Sequence, residues 1–315
     1  MAKRKLVVPL LQGIVTKTTG AHSQVTTEDG KKYVCTFQGK SRIDGNLRST
    51  NPVAVGDKVD FLLSEQEGDL CVIQKVLPRK NYILRKAISY SGKVHILCTN
   101  IDQAVLLFTL KQPHTTTGFI NRFLAIAEAY HIPTTLIINK IDLLTSTEEL
   151  SKRDDIKACY VSAGYPVIEI SATDTNYLET AKALFSGKIS FLGGHSGAGK
   201  STLINLIEPD LKLRTHQISD FNDKGMHTTT HTEMYNVAGG YVIDAPGIKE
   251  MGLVDFDKKI LSHYFPEMRS RLAGCKFNNC MHINEPQCAI KDAVEAGEIH
   301  LSRYNSYLRM MEEDT

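Results

Sequence analysis

One stretch constrains this chain more than any other: Gly194-His195-Ser196-Gly197-Ala198-Gly199-Lys200-Ser201, followed by Thr202. It fits the spacing G-x-x-x-x-G-K-[ST]. In that pattern glycines turn backbone N–H groups inward onto phosphate oxygens, the Lys reaches the terminal phosphates and the hydroxyl ligates Mg²⁺. The loop works only between a buried strand and a helix, because the helix lends its positive N-terminal end to the cradle. The apolar run 189–193 precedes it and a helical pattern over 201–207 follows. Residues 81–255 therefore have to contain a mostly parallel sheet covered on both faces. The alternation of patterns agrees, with strands expected at 103–109, 133–139 and 166–171 and helices at 119–130 and 177–185. Runs 233–237 and 241–244 around Ala238-Gly239-Gly240 predict a hairpin and one antiparallel strand.

A phosphate loop does not choose a base. Asn139-Lys140-Ile141-Asp142 does, at the C-terminal end of an apolar strand, the edge where open α/β sheets bind ligands. Asp142 can accept from guanine N1–H and its exocyclic amine. Adenine offers neither and leaves the carboxylate unpaired, at a cost of order 1–3 kcal/mol. Asn139 is expected to face the other base edge, with the Lys140 stem along the ring. Ser171-Ala172, after the strand 167–170, can supply a backbone N–H to the guanine carbonyl. Asp244-Ala245-Pro246-Gly247 ends an apolar strand and reads as a Mg²⁺-side Asp244 with a γ-phosphate-sensing Gly247. Before it lies Gly225-Met226-His227-Thr228-Thr229-Thr230. A threonine of this loop, with Thr229 as the candidate, closes on Mg²⁺ in the triphosphate state.

The order of these motifs is distinctive. A Ras-like GTPase runs phosphate loop, switch Thr, D-x-x-G, N-K-x-D, S-A. Here N-K-x-D and S-A come first, a cyclic rotation that keeps every strand neighbour when the original termini lie close. The segment after Asp244–Gly247 is thereby handed directly to the last part of the chain. In Ras-like enzymes a Gln after D-x-x-G orients the attacking water. Ile248 and Lys249 stand there in this chain, so intrinsic hydrolysis should be slow. His227 is the nearest substitute, as a neutral imidazole able to orient water or accept its proton.

Residues 1–80 read differently, as five short strands at 11–17, 24–27, 32–37, 58–63 and 70–77 separated by turn residues. Five strands in so short a span fit a small closed barrel, OB-type first and SH3-like as the rival. This segment holds 13 Lys or Arg against 8 Asp or Glu, whereas the remainder holds 24 against 27. The basic bias points to a nucleic-acid partner, and the stretch 39–51 carries Lys40, Arg42 and Arg48 as a basic loop. Tyr33, Phe37 and Phe61 are the candidates for base stacking.

Residues 256–315 read as helical around a Cys/His knot. Cys275, Cys280, His282 and Cys288 offer three thiolates and one imidazole, a soft tetrahedral set that fits a closed structural Zn²⁺ site. The helical face beyond it runs Val294, Gly297, Leu301, Tyr304, Leu308 and Met311, with Gly297 expected to break it in two. Of the seven Cys, the other four (35, 71, 98 and 159) sit in apolar runs and read as core. An odd, sparse set is not a disulfide framework and places the chain in a reducing cytosol. No run of apolar residues is long enough to span a bilayer, and the basic start lacks a small-residue cleavage site.

With these motifs in place, the chain resembles the circularly permuted small-ribosomal-subunit biogenesis GTPases of bacteria, the RsgA or YjeQ family. The likeness rests on Pro52-Val53-Ala54-Val55-Gly56-Asp57 in the barrel, on the nucleotide motifs and on the Cys/His knot, and it covers nearly the whole chain. The resemblance implies an OB-type β-barrel over 1–80, a circularly permuted P-loop GTPase domain over 81–255 and a helical zinc-binding domain over 256–315. It implies GTP hydrolysis stimulated by the small ribosomal subunit, contact with that subunit and its rRNA, and a role in its late maturation. A cytoplasmic monomer holding one Zn²⁺, and Mg²⁺ with GTP or GDP, is expected. The family places the same His227 in its Gly-x-His-Thr-Thr motif, but Met226 stands where the family has Arg. Two other readings use the same motifs: a GTP-regulated nucleic-acid-binding module with negligible turnover, and an ATP-dependent kinase-type enzyme. Subunit-stimulated multiple turnover excludes the first, and guanine selectivity the second.

Overall fold

Period-two burial closes the first part of the chain on itself. In the computed structural model, which describes residues 9–20, 22–37, 51–63, 70–86, 94–213, 232–244 and 258–312, five strands form a barrel. They are β1 (Leu10–Thr19), β2 (His22–Thr26), β3 (Lys32–Phe37), β4 (Lys58–Leu62) and β5 (Cys71–Val76). The first half of β1 pairs with β4, from Leu10↔Leu62 to Ile14↔Lys58, and its second half pairs with β2. β2 pairs with β3, β3 runs parallel to β5, and β5 returns to β4. The closed order 1-2-3-5-4-1 is the OB arrangement and leaves the SH3-like rival behind. Inward positions Val15, Val25, Cys35, Val59, Phe61, Cys71 and Ile73 make its core. Phe61 is fully buried there and offers no stacking face, which corrects that expectation. Tyr33 and Phe37 pack partly buried against the same core. The basic positions 40, 42 and 48 lie outside the described residues.

The Pro52–Asp57 run is a joint. The buried Asp57 carboxylate accepts from Arg79 Nε (2.7 Å) and Nη2 (2.6 Å), from Thr99 Oγ1 (2.8 Å) and from the Ala54 N–H (2.8 Å). It ties the barrel to a hairpin the sequence reading did not name, β6 (Tyr82–Lys86) with β7 (Val94–Thr99).

The described residues fall into two compact units: residues 1–102, 187–191 and 222–254, and residues 103–186, 192–221 and 255–315. The first also holds the hairpin β12 (Glu233–Val237) with β13 (Gly240–Asp244), in register Glu233↔Asp244. In the second, β8 (Gln103–Thr109), β9 (Thr134–Asn139) and β10 (Val167–Glu169) are parallel, and β8 is buried at every position. Helices α1 (Thr117–Ala129), α3 (Leu178–Phe185) and α4 (Lys200–Ile207) follow the expected alternation, α2 (Thr147–Ser162) adds a helix that was not expected, and β11 (Ile189–Gly193) leads into the phosphate loop. α2 is highly charged and buries only Cys159 and Tyr160, so no apolar period announced it. Its mark was the Ser146/Glu149 capping box, which the sequence reading passed over.

The last part of the chain carries α5 (Pro266–Arg269), α6 (Ala289–Glu295) and α7 (Leu301–Glu312), with Gly297 at φ +73° breaking the helix after α6. The predicted apolar face of α7 packs at Tyr304, Leu308 and Met311 but not at Leu301, which is 58% exposed, and a second set, Arg303, Ser306 and Tyr307, is buried beside it. The reason is that α7 packs on two sides. Tyr304, Leu308 and Met311 face the cluster around Cys288, Ile290 and Phe265. Arg303 and Ser306 meet α5 and α1: Arg303 donates from Nε to Glu267 Oε1 of α5 (2.7 Å) and from Nη1 to Asn121 Oδ1 of α1 (2.9 Å), and Asn121 Nδ2 donates to Ser306 Oγ (2.7 Å). Among the described residues no helix is long and apolar enough to cross a membrane.

Candidate nucleotide site and metal centre

The phosphate loop is held by what surrounds it. Gly194 and Gly199 have φ of +146° and +104°. A Cβ on Gly194 would strike the Leu107 carbonyl of β8, and one on Gly199 would strike the Asn139 amide, so both positions are closed to side chains. Lys200 opens α4 and folds back over the loop, with Nζ donating to the carbonyls of Gly194 (2.9 Å) and His195 (3.1 Å). Ser196 is exposed, Gly197 half-buried and Ala198 buried. Ser201 and Thr202 sit half-buried in the first turn of α4. The His195 ring stacks on Phe119 of α1, centroids 3.8 Å apart.

The base-recognition motif lies beside it in the same unit. Lys140 adopts the left-handed conformation (φ +59°) and turns the chain into the short helix Ile141–Leu143, which leaves Asp142 exposed at its start. The Ile141 N–H donates to Ile170 O (3.4 Å), tying this turn to the strand before Ser171. Asn139 does not spend its amide on open space: Nδ2 donates to Ala198 O (2.8 Å), and Oδ1 accepts from the Ala172 N–H (3.0 Å). One side chain thus joins three motifs: phosphate loop, N-K-x-D and S-A. The sequence reading gave Asn139 a base edge and gave Ala172 a free N–H; here the two groups bond to each other. Ser171 Oγ shares a hydrogen with Thr173 Oγ1 (2.9 Å). Lys140 Nζ donates to Gln112 O (2.6 Å), and burial lowers its pKa. Lys111 meets Glu149 at 2.8 Å and the Leu143 carbonyl at 3.4 Å. The sequence reading missed Lys111, Gln112 and Phe119. Their signal was position, just past the C-terminal end of β8 at the ligand-binding edge.

Asp244, with half-buried side chain, ends β13 in the other unit. His227, Thr229, Gly247, Ile248 and Lys249 lie outside the described residues. The hydroxyl of Ser201 and the carboxylate of Asp244 are hard oxygen donors of the kind Mg²⁺ takes.

Cys275, Cys280, His282 and Cys288 come together as expected, with ligand atoms all within 4.8 Å of one another. His282 Nδ1 stands 3.6 Å from Cys275 Sγ and 3.4 Å from Cys288 Sγ. Tetrahedral Zn²⁺, with bonds of about 2.3 Å to sulfur and 2.0 Å to nitrogen, would separate such atoms by about 3.6 Å. Burial lowers the His282 pKa and keeps the imidazole neutral, the form that binds metal. Burial, and after it the neighbouring thiols, push the Cys280 thiol up to about 12, so a bound cation is what would favour its thiolate. The frame is rigid: Tyr304 and Tyr307 hydroxyls donate to the carbonyls of His282 (2.6 Å) and Met281 (2.7 Å). Glu285 accepts from the N–H groups of Met281, Ile283 and Asn284. His263 and His300 are not in the ligand set, and His300 Nδ1 bonds Ser302.

Residues 76–254 match the model of the RsgA GTPase family. The small ribosomal subunit biogenesis GTPase RsgA of Christiangramia forsetii is 50% identical over 304 residues, 96% of each chain. RsgA 2 of Bacteroides thetaiotaomicron is 46% identical over 96% of this chain and 97% of its own. Among solved structures, YjeQ from Thermotoga maritima is 35% identical with a TM-score of 0.76, covering 96% of this chain and 98% of that one. YloQ, a circularly permuted GTPase, is 27% identical with a TM-score of 0.73, covering 98% and 96%.

Proposed function

Because the chain belongs to the RsgA GTPase family and is a GTP hydrolase, we propose that it binds the small ribosomal subunit and its rRNA and couples GTP hydrolysis to late maturation of that subunit. The observation that carries the guanine-nucleotide part is the Asn139 bridge. It fixes the loop of Lys200 and Ser201 against the turn that presents Asp142, so phosphate and base are read by one rigid assembly. Asp142 accepts from the guanine edge and Lys200 leaves the Gly194 and His195 carbonyls for the terminal phosphates. The N–H groups from His195 to Thr202 cradle the others. Ser201, Thr229 and Asp244 hold Mg²⁺, which when bound offsets charge on the β- and γ-phosphates. Gly247 senses the γ-phosphate, and His227 positions the attacking water or takes its proton.

The functional segments are the barrel over 1–80, the permuted GTPase domain over 81–255 and the metal-binding helical domain over 256–315. The metal is one structural Zn²⁺ on Cys275, Cys280, His282 and Cys288. Four protein ligands leave no open position for chemistry. The protein works as a cytoplasmic monomer without a membrane partner. The experiment is multiple-turnover GTP hydrolysis with and without purified small subunits, paired with nucleotide-dependent co-sedimentation. Stimulated turnover with GTP and none with ATP supports the reading. GTP binding without stimulated turnover would leave a GTP-regulated binding module instead.

A further inference from the structure

Glycines make the phosphate loop pliable, and something outside it has to hold its shape. Gly194, Gly197 and Gly199 stand at φ of +146°, +78° and +104°, conformations that cost glycine little and also fix little. Of the side chains between Gly194 and Lys200, Ser196 is exposed and Ala198 ends at its methyl. The far end of the loop is held through its backbone, where Asn139 Nδ2 donates to Ala198 O (2.8 Å). The near end is held by a ring: His195 stacks on Phe119 with planes 28° from parallel. Such a pair is worth more than the area it buries. Phe119 is itself fixed. Its N–H donates to the Thr116 hydroxyl that caps α1 (3.3 Å), and Thr115 and Thr109 exchange hydrogen bonds at the end of β8 (2.9 and 3.3 Å). One turn later on the same face, Phe123 meets the root of the loop, where a Cβ on Gly193 would strike its ring. Asn121, Ala125 and Glu128 lie on the opposite side of α1 and meet the metal-binding module, Asn121 through Arg303 and Ser306, Ala125 in its apolar cluster and Glu128 through Arg269 (3.0 Å). All of these residues belong to the second compact unit.

We infer that Phe119 is a positioning residue for the GTPase: by stacking on His195 it keeps the entrance of the phosphate loop in the posture that receives the phosphates. This rests on the reading of that loop as the phosphate site. The His195 carbonyl is one of the two that take Lys200 Nζ (3.1 Å), and the His195 peptide opens the row of N–H groups that follows. A ring locked on Phe119 fixes both. Without the stack, the flanking glycines at 194 and 197 let residue 195 sample other postures, and only a fraction of molecules is ready to bind. The apparent affinity falls by that fraction. One aromatic pair shifts such a balance roughly 2–10-fold, which sets the size of the effect. Leu at position 119 keeps an apolar contact but has no ring face, whereas Tyr keeps the face. α1 is braced on its other side, so the change is read in the loop and not in the fold.

The test is a double-mutant cycle on the full chain, read as the affinity for GDP and for a nonhydrolysable GTP analogue by calorimetry with Mg²⁺ in excess. Phe119→Leu and His195→Ala, which remove the same stack from its two sides, should each weaken both nucleotides roughly 2–10-fold. The double variant should be no weaker than the weaker single one, because the pair acts as a unit. Phe119→Tyr should bind like wild type. Proton NMR gives a second readout. Phe119→Leu, and not Phe119→Tyr, should move the His195 ring resonances downfield as the neighbouring ring current is lost, the signal being assigned by its disappearance in His195→Ala. Losses that add in the double variant, wild-type affinity in Phe119→Leu, an equal loss in Phe119→Tyr, or unmoved His195 resonances would overturn the proposal. Lys200→Met is the separate control. If it leaves GDP affinity unchanged, the phosphate-loop reading fails; if it weakens GDP and the pair shows no coupling, only the role of Phe119 fails.

Discussion

Replacing Arg303 with Met tests the buried ion pair that locks α7 onto α5 at the face they turn to α1. The guanidinium is 1% exposed and faces Glu267, whose side chain is 5% exposed, at 2.7 and 3.1 Å. Its third contact is Asn121 Oδ1 at 2.9 Å, and the Phe265 ring lies 4.5 Å below it. Removing one partner of a buried ion pair strands the other without water or counter-charge, a loss of about 3–5 kcal/mol. For a unit of this size that lowers the melting temperature by roughly 6–20 °C. The pair itself is not the source of that stability, because desolvation of two ions nearly cancels their attraction. Arg303→Met with Glu267→Leu should therefore recover most of the loss. About 1–2 kcal/mol remains lost for Asn121 Oδ1, which keeps no donor. Urea unfolding followed by tyrosine emission suits the chain, which has no Trp and has Tyr160, Tyr165, Tyr304 and Tyr307 around this joint. A single-variant loss below about 1 kcal/mol, or a double variant no more stable than the single, would refute the reasoning.

Asp142→Asn should move base preference from guanosine to xanthosine nucleotides, since the amide presents a donor where xanthine has its extra carbonyl; nucleotide titrations decide it. Cys280→Ser should lower bound zinc from one ion per chain and loosen residues 258–312 while GTP affinity stays near wild type, checked by elemental analysis and limited proteolysis. Glu149 is held at about 2 by the Lys111 ammonium and by the N–H groups of Thr145 and Ser146. Its carboxylate thus stabilises the fold above the ordinary carboxylate range and loses that contribution as pH falls toward about 2. Glu149→Gln should flatten the acid-unfolding profile over that window. His227→Ala should cut subunit-stimulated hydrolysis by about 10²–10⁴-fold while GTP and subunit binding hold, and undiminished turnover would remove His227 from the mechanism.

How much of this was legible in the sequence depends on whether the cause was local. A β-forming run over 32–37 and an apolar run over 103–109 predicted β3 and β8 at their observed bounds, because each strand's character is written in its own residues. The phosphate loop and the Cys/His knot were readable because their spacings encode geometry within one turn or loop. α2 was missed since only two of its residues are buried, leaving a cap rather than a period as its mark. The second buried side of α7 was missed because it carries Arg303 and Ser306, which no hydrophobic pattern marks. The Asn139–Ala172 bond and the Lys17↔Glu233 pairing join residues 33 and 216 positions apart. Nothing in either neighbourhood announces its partner.

The rotated motif order first reads as a way for the γ-phosphate loop to swing the metal-binding module, since Gly247 leads directly toward it. The joint at Arg303 argues against free swinging. Separating α7 from α1 would break the Arg303–Asn121 and Asn121–Ser306 hydrogen bonds, and a loss of about 2–4 kcal/mol demands a nucleotide preference of roughly 30–10³-fold between the two postures. A module bolted in this way moves with α1, whose first turn carries Phe119 stacked on His195 of the phosphate loop. The contrasting connection is Lys17 with Glu233: one part-exposed ion pair of modest worth, easily exchanged for another anion. The metal-binding module is accordingly a fixed surface carried with α1, whereas the barrel and the β12–β13 hairpin are held together by a contact that another anion can exchange.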